Sequence, residues 1–415
     1  MLENIKIAIL NDTQNIWFIR ASSGKFARHF RKGGLIAIKH LEDIFKDGLP
    51  ATIPSEEEIH IQLLRNPDYY EFKTDKDGKE TKSLNRSGYS ILNQVKRFAN
   101  EIKAGDLIVT KNEDGGYSFG MCSDSIPYID KEPIKFVAPE GVKQTERDRI
   151  VLKYQFRKKV TWGPSIPPSE LPGPVRKATR GQQTVTKLTP HREKIYHLIY
   201  PFFTDGESLY FSNKIKTKHA INALAIGKLF QNVSLSEALL NALLKNKEID
   251  PKEFTDLIEA SISSNKLAVT CQAEFMSPGD MWCKIPLLKD TDLLPQILAG
   301  VLAFLIMTGQ VEASEIANLQ ETAPAEILSI KHQNDATDSM FNDKFKPAES
   351  SPFLKKVVNA ATEKAKQIKA LEEERSVVAV RDNLKVSVTE VKTDKLENFQ
   401  YGISVIQIGA HHEGN

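Results

Sequence analysis

Cysteine is scarce in this chain: Cys122, Cys271 and Cys283 are the only three in 415 residues. Their spacing makes no metal-ligand pattern and no disulfide framework, so a zinc module and a disulfide-stapled secreted scaffold are excluded. Reduced thiols in a cytoplasmic protein are the expectation. A bilayer-length apolar segment is missing as well. The longest uninterrupted apolar run, residues 297–307, has eleven residues, whereas a spanning helix needs about 20. A buried core helix over 293–309 is expected, and insertion of that helix into a membrane stands as the alternative. The opening MLENIKIAIL has no basic region followed by a small-residue cleavage site, so no secretion signal is expected.

Several chemical signatures are also lacking. Gly-x-x-x-x-Gly-Lys-Ser/Thr and Gly-x-Ser-x-Gly are both absent, which excludes the common phosphate-binding loop and the hydrolase nucleophile elbow. His411, His412 and Glu413 sit at the chain end, where side chains seldom hold a metal. No metal and no cofactor are expected.

What is present is uneven charge. The net +2 conceals 33 Lys and Arg against 25 Asp and Glu in residues 1–203, a local excess of +8. The remainder carries 23 against 29, or −6. Such a split favours a front half that meets anions. The excess is densest at residues 15–45, where six Lys or Arg face only two acids. Alternation over 15–21 predicts a strand with Ile16, Phe18 and Arg20 on one side and Trp17 and Ile19 on the other. Ser22 or Ser23 would cap a helix over 25–31 that spreads Lys25, Arg28, Arg31 and Lys32 around its exposed side, and Gly33-Gly34 ends it before a strand over 35–38. A helix over 91–102 and a hairpin turning at Asp114-Gly115-Gly116 follow, while five prolines in 163–174 predict a loop rather than a core element.

WFIRASSGKFARHFRKGGLIAI, the set Gln94, Arg97, Phe98, Lys103, Gly105, Asp106, Val109, and RKKVTWGPSIPPSELP with RGQQTVTKL stand in that order. Together they resemble the N-terminal domain of Mrr-type restriction-system proteins, over about the first 200 residues. The resemblance implies a PUA- or EVE-like β-barrel, a class that reads nucleobases, often modified ones. Where many members have Ala-Ile-Gly-Trp, this chain has Ala37-Ile38-Lys39-His40, so an aromatic contribution there is missing. On this reading Arg20 meets a phosphate or base edge, Trp17 stacks on a base, and Lys25, Arg28, Arg31 and Lys32 touch phosphates. Gln94 and Arg97 complete the nucleic-acid-binding set. The plainer reading makes Trp17 a core residue, pairs Arg20 with Asp106 or Glu42, and leaves the basic helix facing water.

Mrr-type proteins usually append a nuclease domain of the Asp…Glu-x-Lys class. The echoes of it are poor: Glu274 is followed by Met276 where Lys belongs, and Glu390 and Lys392 have only Asp382 as a preceding acid. No catalytic motif is recognised. The Ser277-Pro278-Gly279 turn between Glu274 and Asp280 reads as a plain hairpin.

The expected fold is therefore α+β, with a PUA/EVE-like barrel over 1–204 and a mixed α+β remainder. Residues 205–330 would be helical with a β-hairpin, and 331–415 a polar linker, a charged helix and terminal strands. The expected function is a nucleic-acid-sensing, modified-base-reading component of a prokaryotic restriction or anti-phage system, with DNA as ligand and residues 205–415 engaging a protein partner or a second copy. The alternative is a defence effector whose back half is a divergent nuclease or a membrane-disrupting module.

Overall fold

β-Branched and aromatic residues fill the short strands of two large curled sheets, and helices cover them, giving a mixed α+β fold that includes a half-barrel. The computed structural model describes residues 5–74, 78–136, 145–146, 149–264, 266–273, 279–289, 292–312, 315, 328–331, 350–397 and 402–408. The chain separates into two units: Asp12–Ile195 with Lys392–Gly402, and Met1–Asn11 with Tyr196–Val391 and Ile403–Asn415.

In the first unit the strand order is Val185–Lys187, Ile16–Ile19, Leu107–Lys111, Tyr117–Cys122, Phe156–Ile166, Leu35–Ile38, with Tyr128–Ile129 also on Phe156–Ile166. Phe156–Ile166 is the longest of these at eleven residues. It pairs through Phe156–Lys159 with Leu35–Ile38 and through Val160–Ile166 with Tyr117–Cys122, and its register breaks between Trp162 and Ser165. Pro164, which has no N–H to give the ladder, lies in that break. The proline-rich stretch begins as strand, through Ile166, contrary to the expected loop, and runs irregularly to the helix Gly173–Ala178 that starts at its end. The basic helix runs Ala27–Gly33 without a side-chain cap. Ser22 and Ser23 instead occupy left-handed conformations in the turn before it.

Polar groups are threaded through this interior. Asp106 accepts from Trp17 Nε1, Asn15 N and Lys103 N, each at 2.9 Å, and so ties together the two strands that run parallel, Ile16–Ile19 and Leu107–Lys111. Lys158 is wholly buried and donates to Ile102 O at 2.5 Å and Ser125 O at 2.6 Å. The return segment completes the unit. Leu396 is fully buried, and a Cβ added at Gly163 would come within 2.8 Å of its Cδ2. The close approach explains why glycine stands at 163.

The second sheet runs Thr270–Ala273, Gly279–Pro286, Ser208–Ile215, Phe202–Thr204, Ile5–Ile9, Val405–Ile408, Leu328–Lys331, with Val386–Val388 also on Ser208–Ile215. Against it lie the helices Ala223–Leu244 and Leu293–Met307, where Phe304 stacks on Phe211 at 4.0 Å between ring centroids. Every residue of Leu293–Met307 is buried. A helix apolar all round is one covered all round, and fifteen residues at about 1.5 Å each fall well short of a hydrocarbon core of about 30 Å. Among the described residues no helix is long and apolar enough to cross a membrane, so the 293–309 segment is the core helix of the first expectation.

The division differs from the boundaries drawn on sequence. The strand Ile5–Ile9 pairs with Phe202–Thr204 and Val405–Ile408, so the first residues belong with the last. Nor do 205–330 and 331–415 separate: Val357, Ile368, Leu371 and Val380 share one core with Leu298 and Phe304. The late strands are short, Val386–Val388 and Val405–Ile408, and Val377–Leu384 is a further helix.

Candidate nucleic-acid interface

The strand Ile16–Ile19 stops at a turn, and Arg20 is the first residue past it. Gly24 in that turn has φ +97°, and a Cβ on it would strike Asn112 O at 2.4 Å. Only glycine lets the turn settle against the Leu107–Lys111 and Tyr117–Cys122 hairpin. Between them opens a cavity of about 510 Å³, within the range usual for ligand sites.

Its walls bring together Arg20, Lys111, Arg176 and Arg180 with Phe18, Tyr117, Ser23, Asp114 and Thr179. Four cations against one acid give the lining +3. The acid is engaged, because Asp114 Oδ1 accepts from Gly116 N at 2.8 Å and holds the hairpin turn. The Arg20 guanidinium donates through Nη2 to Gly181 O, while its buried Nε–H has no acceptor. Arg176 is aimed by two carbonyls, Pro168 O at 3.2 Å and Leu171 O at 2.9 Å. Thr179 Oγ1 donates to Arg176 O at 3.0 Å, so its contact with Tyr117 Oη at 2.9 Å is one in which the tyrosine donates. The proline-rich stretch leads into the segment that supplies Pro168, Arg176, Thr179 and Arg180 to the lining.

The residues singled out on sequence scatter. Trp17 is in the core, 1% exposed, with its N–H given to Asp106. Arg20 pairs with neither Asp106 nor Glu42, since Asp106 serves Trp17 and two backbone amides and Glu42 accepts from Gln155 N. Gln94 is buried and accepts from Val185 N at 2.6 Å, fastening the edge strand. Arg97 reaches Gln183 Oε1 at 3.0 Å. The helix cations diverge. Arg31 donates to Ser118, Ser165 and Gly163, whereas Arg28 and Lys32 lie over the Phe136 ring at 4.5 and 4.8 Å. Lys25 is exposed. Of the expected set only Arg20 lines the cavity. Lys111, Arg176 and Arg180 were not singled out, although VRKATR within 175–180 crowds three cations into six residues.

The nuclease echoes do not assemble. Asp382 lies on the helix Val377–Leu384 and pairs with Arg381 at 2.9 Å, and Glu390 follows the strand Val386–Val388 in coil. Glu274, Met276, Ser277, Pro278 and 411–413 lie outside the described residues. Asp280 pairs with Lys214 at 2.6 Å on the strand Gly279–Pro286. Among the described residues no cluster of three His, Cys, Asp or Glu is placed to hold a metal. No family model, no curated protein and no solved structure matches this chain.

Proposed function

We propose that the Asp12–Ile195 unit senses nucleic acid, DNA first, and that its ligand enters the cavity beside Arg20. The observation that carries this reading is the convergence of Arg20, Lys111, Arg176 and Arg180 on one cavity that Phe18 and Tyr117 also line. Guanidinium forks match phosphate oxygens and base edges, and a volume of about 510 Å³ accommodates an extruded base. The resemblance to Mrr-type N-terminal domains supplies the setting, a prokaryotic restriction or anti-phage system in which the base is a modified one. In that setting the second unit engages a protein partner or a second copy, and Leu224 and Ile262 are exposed on it.

The test is fluorescence anisotropy of the full chain with labelled duplex DNA, single-stranded DNA and RNA between 50 and 200 mM salt. Three phosphate contacts give a log–log slope of about −2.7 on duplex. Arg176→Glu with Arg180→Glu should flatten that slope and abolish binding at 200 mM salt. Wild-type affinity without salt dependence, or an unaffected double variant, would remove the cavity as the interface.

A further inference from the structure

Cysteines at opposed positions of two neighbouring strands are poised for chemistry with each other. Cys271 on Thr270–Ala273 stands directly across from Cys283 on Gly279–Pro286, and their sulfurs are 2.9 Å apart. Opposed residues of an antiparallel pair have Cα atoms about 4.5 or 5.5 Å apart, and both separations fall inside the span of a disulfide. The two differ in access: Cys271 is exposed on the sheet's edge strand, whereas Cys283 is 1% exposed. Cys122 belongs to the other unit, where it is buried and donates its S–H to Asp124 O. Reduced, inert core thiols were expected of all three, and Cys271 does not fit that description.

We propose that Cys271 and Cys283 form a reversible disulfide site that responds to hydroperoxides. The exposed Cys271, as thiolate, attacks the terminal peroxide oxygen. The O–O bond breaks, the released alkoxide or hydroxide takes a proton to leave as alcohol or water, and Cys271 becomes a sulfenic acid. The Cys283 sulfur then attacks the Cys271 sulfur: the S–S bond forms, the S–O bond breaks, and the departing hydroxide takes the Cys283 proton as water. Two thiols and one hydroperoxide thus give one disulfide, one alcohol or water, and one water. Burial raises the Cys283 thiol pKa, which keeps it protonated and leaves the first attack to Cys271. The bond would fasten the edge strand Thr270–Ala273 to Gly279–Pro286 beside it.

The full chain is treated with hydrogen peroxide, quenched, unfolded in urea and labelled with a maleimide polymer. Reduced protein takes three labels, one for each cysteine; oxidised protein should take one, and dithiothreitol should restore three. Peptide mapping should find residues 271 and 283 linked. Cys271→Ser, at an exposed position, should keep two labels throughout. Three labels after peroxide, oxygen added at Cys271 without a linked peptide, or a bond between chains on a non-reducing gel would each overturn the site.

Discussion

The two units handle polarity in their interiors differently. The first runs charged side chains through its core and gives each a partner: Asp106 takes three N–H groups, Lys158 donates to two carbonyls, and buried Arg157 meets Asp130. The same unit collects four more cations at a cavity. The second also buries charge, with Arg375 held by the amides of Asn232 and Gln231, but it lays a fully buried fifteen-residue helix on its sheet, and burial keeps its His197 imidazole neutral. The contrast teaches that charge partnered across strands and a cation-lined cavity occur together in the first unit, while the second is built around an apolar helix.

The largest test falls on packing. Phe304→Ala empties the stack on Phe211 and should cost about 3–5 kcal/mol in urea unfolding followed at Trp282, without changing nucleic-acid affinity of the folded protein. Lost affinity with an intact fold would break the separation of tasks between the units.

His197 gives the next effect. Its ring stacks on Trp282 at 4.7 Å between centroids, and Nδ1 contacts Ser212 Oγ at 2.9 Å. Burial pushes its pKa down to about 3. The unfolded imidazole binds a proton near pH 6.5 and the folded one does not. The stabilisation is therefore complete above pH 6.5 and is lost as pH falls toward 3, by about 3 kcal/mol at pH 4. His197→Gln should flatten the acid limb of the urea midpoint, and an unchanged limb would assign it to carboxylates.

Arg20→Ala sharpens the comparison from the other side. Its partners are a backbone carbonyl pair and no carboxylate, so no buried acid is stranded and the melt should hardly move. Affinity for duplex should fall by about 1–3 kcal/mol. A collapsed melt with unchanged affinity would make Arg20 a structural residue.

What could be read in the sequence follows from range. Local signals survive: the helix ended by Gly34, which adopts φ +60°, the turn at Asp114, and the short apolar run that is a core helix. The charge asymmetry pointed to the front half, and Arg20 was singled out from its apolar neighbours. Pairings across long separations were illegible. Nothing near Trp17 announces Asp106, and nothing near Gly163 announces Leu396, which arrives from the far end of the chain. The cavity suffers most from this, because its walls come from residues 18–24, 111–117 and 168–180. Equal weight went to Arg28, Arg31 and Lys32, whose contacts with Phe136, Ser118 and Ser165 depend on where distant strands run.

The smallest effect concerns Lys158, and opposing terms confine it to a narrow window. Burial lowers its pKa to about 8, whereas the unfolded lysine titrates near 10.4. Below pH 8 both states carry the proton and the cost of the buried ammonium is in full force. From pH 8 upward the folded state releases that proton first, so the cost is relieved as pH rises toward 10.4. Cys122 works against this, since burial lifts its pKa to about 11 and the unfolded thiol ionises from about pH 8.5, favouring the unfolded chain. Between pH 8 and 9 the lysine gains about 1 kcal/mol and the thiol takes back about 0.7, so stability of the first unit should rise by about 0.3 kcal/mol before levelling. Lys158→Met should abolish the rise, and Cys122→Ala should extend it toward pH 10. Hydrogen exchange in the strand Phe156–Ile166, corrected for intrinsic rates at each pH, reads this unit alone. A rise that survives Lys158→Met would place the titrating group elsewhere and end the claim that this ammonium is a cost the first unit carries at neutral pH.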